Sequence, residues 1–234
     1  AANRRHLCAV IPAQAGIQIT SPVEPDVKAS GPLPARGDGV LSERECSAIA
    51  RTVPYTPPPE LAGMSLAQIA QAVADRKLPP VEEWSPEAAD DSHMRIAADG
   101  TWYHDGSPIK RPAMVRAFAG LLNREEDGRY WLVVPYQKLS IEVEDACFIA
   151  TDVSQAEGDL AFRLNTDELV VAGPDNRIRA SGDPDSPALY LHVRRGCEAR
   201  LNRSTYEQLA RIALERGDDW TVTSGGETFS LRPA

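Results

Sequence analysis

The sequence predicts an α+β fold of duplicated strand–helix–strand units with antiparallel sheets, lying behind a long N-terminal tail. Three observations predict it. Two Asp-Gly pairs, Asp99–Gly100 and Asp105–Gly106, bracket the β-prone run TWYH, which is the clearest hairpin signal in the chain. Five short β-rich runs then follow one another with turn residues between them, as an antiparallel meander requires: RYWLVV, KLSIEVE, CFIATDV, DLAFRLN and ELVVAG. Finally, two amphipathic stripes of helical period each stand between an arginine-bearing extended arm and a strand.

Taken in order, residues 1–63 hold no sustained period and are rich in Pro, Ala, Gly and Ser, as in SPVEPDVKASGPLPARGDG. Such a segment buries too little apolar surface to offset the entropy of ordering it, so it is expected to stay unfolded. Its phrase AVIPAQAGIQ resembles the translation of repeats dispersed between bacterial genes. That leaves two origins open: an inserted repeat, or a mis-called start with the biological protein beginning near Met64. Most of the 19 prolines lie at or before Pro86, and the patterned chain starts at about Ser65. Ser65 suits the cap of a helix carrying Leu66, Ile69, Ala70 and Val73 on one stripe and stopping before Pro79. An extended linker, LPPVEEWSPE, is expected to pack Trp84 on the body.

The first hairpin is expected at 94–98 and 101–104. A helix over Pro112–Asn123 then presents Met114, Val115, Phe118, Leu121 and Leu122 inward. After the meander, NRIRASGDPDSP reads as a loop and ALYLHV as a strand. Next come GCEARLN, a helix over Ser204–Glu215 with Tyr206, Leu209, Ile212 and Ala213 inward, and the closing hairpin WTVTSGGETFSL. Ser204 followed by Glu207 has the form of a capping box. GSPIKR, a helix and DGRYWLVV echo GCEARLNR, a helix and DDWTVTS. The echo fits a duplication, and it equally fits the general likeness of α+β units. The expected partition is 64–135 and 136–234.

Charge and composition exclude several classes. A net charge of −9 and a pI near 5.0 suit neither a general nucleic-acid binder nor docking on anionic membrane. No apolar run approaches the ~20 residues of a membrane span, and the basic N-terminus leads into a stretch broken by Pro12, Gln14 and Gln18, a poor signal peptide. A cytoplasmic location is therefore expected. Cys8, Cys46, Cys147 and Cys197 form no C-x-x-C pair and have no histidine at ligand spacing, so no metal site and no cofactor are expected and the thiols read as buried and free. Phosphate-loop, dinucleotide, G-x-S-x-G and H-E-x-x-H signatures are absent. His93, His104 and His192 read as packed or surface histidines. Glu144 and Asp145 are adjacent at a strand end and so point to opposite faces, which suits ion pairs better than a shared metal. The positive cluster carries more. Lys110, Arg111 and Arg116 lie near the first helix start, and Arg194, Arg195, Arg200 and Arg203 precede the second. Guanidinium forks beside helix starts suit phosphate or carboxylate; pairing with the surplus acidic side chains is the alternative. Trp102, Tyr103 and Tyr190 would offer stacking surface or core.

Three blocks, MRIAADGTWYHDGSPIKR, LLNREEDGRYWLVVPYQKLSIEVEDACF and LYLHVRRGCEARLNRSTYEQLA, together with the closing SGGETFSL, resemble a bacterial family, domain-of-unknown-function family 1285, over residues 66–231. The resemblance implies a duplicated α+β core and a C-terminal half loosely like a pleckstrin-homology fold. It also implies a groove between the halves for a nucleotide-like ligand, with a proposed signalling role. The chain departs from the family at Val133–Lys138, where the pattern V-T-P-V-E-K becomes VVPYQK, at Cys147 in place of proline, and at Leu164-Asn165 in place of T-N. The expected function is a binding module for a small anionic or nucleotide-like ligand. Arg111, Arg200 and Arg203 clamp the anion, Lys138 adds charge, Trp102 or Tyr190 stacks, and Glu144 and Asp145 stand as further ligand-binding candidates. A protein-interaction adaptor, with a protein partner on a strand edge, is the rival, and a metal-dependent hydrolase using Glu144 and Asp145 ranks third. Oligomeric state is left open.

Overall fold

A computed structural model describes residues 78–217 and 220–233 together with Gln71. The expected tail, 1–63, and the Ser65-capped helix lie outside the described residues. Twelve strands make two six-stranded sheets. The first contains β1 (Ala89–Ile96), β2 (Trp102–His104), β3 (Ser107–Pro108), β4 (Leu122–Arg124), β5 (Tyr130–Val134) and β6 (Gln137–Val143). The second contains β7 (Phe148–Ala156), β8 (Asp159–Leu164), β9 (Leu169–Val171), β10 (Ile178–Asp183), β11 (Ser186–Arg194) and β12 (Cys197–Leu201). Helix α1 (Pro112–Ala119) joins β3 to β4, and α2 (Arg203–Arg216) follows β12. The expected closing hairpin is β13 (Thr221–Ser224) and β14 (Glu227–Ser230), which packs beside β8, β10 and α2.

The strand orders are 3-2-1-6-5-4 and 9-8-7-12-11-10, so the second sheet repeats the first with every number raised by six. Each is a pair of three-stranded antiparallel meanders. The two meanders meet at a parallel seam, β1 on β6 in the first sheet and β7 on β12 in the second. The duplication is thus real, but its register differs from the sequence echo. α1 sits between the two meanders of its unit whereas α2 lies beyond the last strand of the other, so the echoed helices are not equivalent. The units divide between Val143 and Phe148. β6, placed in the second half by the partition at 135/136, pairs with β1 and β5 of the first.

Other boundaries shift for local reasons. α1 stops at Ala119 because Gly120 takes the C-cap, and Leu122, read as helical, opens β4. The expected loop 176–187 is largely strand β10, which pairs with β11 from Ile178↔Leu191 to Asp183↔Ser186. Asn202, not Ser204, caps α2, its side chain accepting from the Thr205 amide at 2.8 Å. Trp84 packs on the core as expected.

Alternation decides what is inside. Leu189, Leu191 and Val193 of β11 and Cys197, Ala199 and Leu201 of β12 point into the core, leaving Tyr190, Arg200 and Glu198 outward. One hydrophobic cluster runs through both units, from Ile96, Trp102 and Phe118 to Phe148, Phe162 and Leu191. Each fully buried side chain of this kind stabilises by roughly 1.5–3 kcal/mol.

The units are also clasped by polar contacts. Between β11 and β12 the chain turns through Arg195 and Gly196, at φ 47° and 70°. From there Arg194 donates to the Ala119 carbonyl at 3.0 Å, and Arg195 donates to the carbonyls of Gly120 and Pro79, each at 2.9 Å. Two cations therefore meet the carbonyl end of α1, the negative pole of its dipole. Arg194 also pairs with Glu168, and Arg195 with Glu82 in the 3-10 turn Val81–Glu83.

Candidate functional site

On the outward face of the second sheet lies a cleft of about 740 Å³. Its floor is the solvent-side set of the parallel seam: Ile149 and Thr151 of β7 and Arg200 of β12, with Ala188 of β11 and Asn165 just after β8. One wall belongs to the first unit, the β1–β2 turn at Ala98 and Asp99; the opposite wall is the β10–β11 tip at Asp185–Pro187. The end is closed by Asn202, Arg203 and Tyr206 at the start of α2.

The turn is held in place from several sides. Asp99 Oδ1 accepts from the Thr101 amide at 2.9 Å, and the Ala98 amide donates to Glu144 Oε2 at 2.9 Å. Gly100 lies at φ 83°, and a Cβ there would come within 2.7 Å of Asn165 Nδ2 and Ile149 Cγ1. Only glycine meets both the left-handed turn and the close seat on the floor.

A charged row crosses the sheet beside the cleft. Arg179, Tyr190 and Arg200 are register partners on β10, β11 and β12. The Arg179 guanidinium lies 4.2 Å over the Tyr190 ring and forks onto Glu198 with two bonds of 2.6 Å. Asp145 accepts from Tyr190 Oη at 2.8 Å and from Arg200 Nη1 at 2.5 Å. Burial, reinforced by the bond to Asp145, pushes the Tyr190 phenol up, and the same carboxylate raises the Arg200 guanidinium. At the rim, Arg203 pairs with Glu207 at 2.9 Å with its side chain 92% exposed.

The structure gathers part of the expected set. Arg200 and Arg203 line the cleft, and Tyr190 and Asp145 contact Arg200 or its row. Glu144 turns the other way, pairs with Arg95 and steadies the β1–β2 turn, so the adjacent carboxylates do not converge. Arg111 is the exposed N-cap of α1 and is not among the residues lining the cleft. Lys138 pairs with Glu125 and lies 4.4 Å over the Trp131 ring in the first sheet. Trp102 is 2% exposed and stacks on Phe118 in the core at 6.3 Å, which removes it as a stacking platform. Arg194 and Arg195 serve the clasp, and Arg116 pairs with Asp167 at 3.2 Å. Asp99, Asp185, Thr151 and Tyr206 stand outside the expected set, and Asn165 enters it only within a departure from the family pattern. Asp99 shows only turn chemistry in the sequence, Tyr206 reads only as an inward residue of α2, and the others meet through sheet pairing that no local pattern encodes.

A smaller cleft, of about 530 Å³, lies at the seam of the first sheet, where a bulge in β1 puts His93 at φ 52° beside Asp91, Ser140 and Glu142. Among the described residues no group of three His, Cys, Asp or Glu side chains could hold a metal ion, and no helix is long and apolar enough to cross a membrane. Cys147 and Cys197 are free and buried.

A search of curated proteins finds no match. Among solved structures, the chain is similar to a DUF1285 family protein from Silicibacter pomeroyi DSS-3, with 41% identity over 73% of this chain and 96% of that one and a TM-score of 0.61. It is also similar to a DUF1285 family protein from Shewanella baltica OS155, with 24% identity over 50% of this chain and 90% of that one and a TM-score of 0.42. Residues 79–146 match the family model for the N-terminal domain of DUF1285, a domain of unknown function, and residues 147–231 match the model for its C-terminal domain. The two matches meet between Ala146 and Cys147, inside the connector where the two sheets divide, and with the 41% identity they place this chain in the DUF1285 family.

Proposed function

We propose that the chain is a binding module for a small anionic molecule, nucleotide-like or phosphorylated, held in the larger cleft. The observation that carries this is the placement of Arg200 and Arg203 together at the α2 end of a cleft of about 740 Å³. Sites for small organic ligands span ~300–1,000 Å³. Guanidinium forks beside a helix start suit phosphate or carboxylate oxygens, and Ile149 and Tyr206 supply apolar surface for the rest of the molecule. Arg111, Lys138 and Trp102 have no part in this reading, since none of them lines the cleft. With it we propose a sensor role in the cytoplasm, with ligand occupancy read through the first-unit turn that forms one wall.

A thermal-shift screen of the full chain against nucleotides, sugar phosphates and carboxylates tests the proposal. A ligand at a hundred times its Kd adds ~2.7 kcal/mol and moves the melt by several degrees. The shift should vanish when Arg200 and Arg203 are both replaced by alanine. A cooperative melt that no compound moves would overturn the reading and favour an adaptor that recognises a protein partner.

A further inference from the structure

On that reading of the cleft, we infer that it selects a ligand whose phosphate carries a single negative charge, a phosphodiester rather than a monoester or polyphosphate, and that Asp145 sets this limit. The charges of the lining residues cancel, with Arg200 and Arg203 set against Asp99 and Asp185. Behind them each arginine already meets a carboxylate, Arg200 that of Asp145 and Arg203 that of Glu207. With the row beside it, the cleft sets three cations, Arg179, Arg200 and Arg203, against five anions, Asp99, Asp145, Asp185, Glu198 and Glu207, and has no surplus positive charge for a dianion.

Asp145 cannot simply swing aside. It sits in the connector between the units, flanked by Glu144 on Arg95 and by buried Ala146 and Cys147. Both of its oxygens accept, one from Tyr190 and one from Arg200, which is the pattern of an ionised carboxylate. Yet Arg200 can still bind an anion. A guanidinium carries five donors, the Asp145 bond engages Nη1, and the Arg200 side chain is 43% exposed on the cleft floor. One P–O⁻ is then shared between Arg200 and Arg203. A second negative charge on the same phosphorus would face Asp145, with Arg179, the next cation along the row, already forked onto Glu198. Asp99 and Asp185, on the two walls, favour a ligand whose remainder donates hydrogen bonds, through hydroxyl or amino groups.

The test is titration calorimetry of the full chain, free of divalent cations, with 3′,5′-cyclic AMP and cyclic GMP against 5′-AMP, 5′-GMP and ADP. The cyclic diesters should bind about tenfold tighter than the monoesters at pH 7.5, and ADP weakest. Asp145→Asn should strengthen both classes and raise monoester affinity about tenfold more than diester affinity, which narrows the preference. A second arm needs no variant. A phosphate monoester takes up a proton with a pKa near 6, so its affinity for the wild-type chain should climb toward the diester's between pH 7.5 and 5.5. The diester, singly charged throughout, reports any titration of the protein itself over that range. Monoester or ADP binding tighter than the diesters at pH 7.5, with Asp145→Asn acting on all alike, would overturn the inference and leave the anion site standing. Binding of none of these, nor of any compound in the wider screen, would remove the anion site and this inference with it.

Discussion

Replacing Arg195 with alanine tests whether the clasp, and not only the shared core, joins the two units. The Arg195 side chain is 6% exposed, and it donates to the carbonyls of Pro79 and Gly120 at 2.9 Å and of Leu122 at 3.4 Å, and pairs with Glu82. Hydrogen bonds from a charged donor contribute ~1.5–3 kcal/mol each when intact, and a buried carbonyl left without its donor loses ~1–3 kcal/mol. Water entering the vacated space would satisfy some of the carbonyls, so the expected loss is ~3–5 kcal/mol, the range for breaking a buried pair from one side. Arg195→Lys should recover little, because an ammonium cannot span carbonyls contributed by separate segments. Urea unfolding followed by tryptophan fluorescence and by circular dichroism measures this: the midpoint should fall, and the two probes should separate as the units uncouple. Arg129→Ala is the control. It removes a side chain 67% exposed, whose ion pair is screened by solvent, and should leave the urea midpoint close to that of wild type. An Arg195→Ala chain within ~0.5 kcal/mol of wild type, with coincident transitions, would refute the clasp argument.

Gly100→Ala should cost ~2–4 kcal/mol, since it combines a left-handed backbone at φ 83° with contacts of 2.7 Å, whereas Gly106→Ala, at φ 74° with nothing near, should cost only the ~1–2 kcal/mol of backbone strain; urea midpoints of the pair separate the two effects. Iodoacetamide labelling read by peptide mass should spare Cys147 and Cys197, which are 1% and 0% exposed, in the native chain and modify both in urea; native labelling of either at a free-thiol rate would contradict their burial. At alkaline pH, burial pushes the Tyr130 phenol up to about 12. Above about pH 10 the unfolded chain therefore loses a proton that the folded chain keeps, and stability should fall as pH rises from about 10 to about 12. A pH series of urea midpoints checks that sign, and Tyr130→Phe should flatten the slope. On the acid side, the bond from Arg195 holds Glu82 below the usual carboxylate range, so this contribution is present above the ordinary glutamate pKa and is lost as pH falls through the lowered one. The same series carried below pH 4.5 should show a shallower fall in Glu82→Gln.

What the sequence revealed was local. The turn at Asp99–Gly100 was legible because a positive φ demands glycine, and α2 because Leu209 and Ala213 recur on one buried face. β10 was not legible, because Gly182 and Pro184 mark a turn and only pairing with β11 makes the residues before it a strand. α1 was read too long because Leu121 and Leu122 continue its apolar stripe, although both are buried after the chain has left the helix. The arginine cluster was legible as a cluster and not as roles. Arg195 reaches Pro79 across 116 positions and Arg200 reaches Asp145 across 55, and nothing in the spacing tells these from Arg203, which pairs with Glu207 one helical turn away. Lys138 and Trp102 lie away from the larger cleft for the same reason. Their partners, Trp131 and Phe118, are fixed by sheet register and core packing.

The duplication explains why the site lies where it does. In each sheet two antiparallel meanders meet at one parallel seam, and at that seam the chain leaves neighbouring strands in opposite directions. No hairpin joins the two strands of either seam, and a cleft lies over each: the smaller is lined by residues of β1 and β6, and the larger by residues of the equivalent β7 and β12. The scaffold therefore supplies the crevice twice, and what differs is the company each keeps. At the second seam β12 runs directly into α2, which brings Arg203 and Tyr206, and the first unit lends its β1–β2 turn as a wall. At the first seam β6 runs into the connector instead, so no helix start reaches the crevice, and its lining is Asp91, His93, Arg95 and Glu142 around Ser140. Divergence after duplication has thus set different side chains at equivalent places, two arginines and a helix start at one seam and Asp91, His93 and Glu142 at the other. Converting one crevice into the other would take a helix and a wall rather than a point substitution.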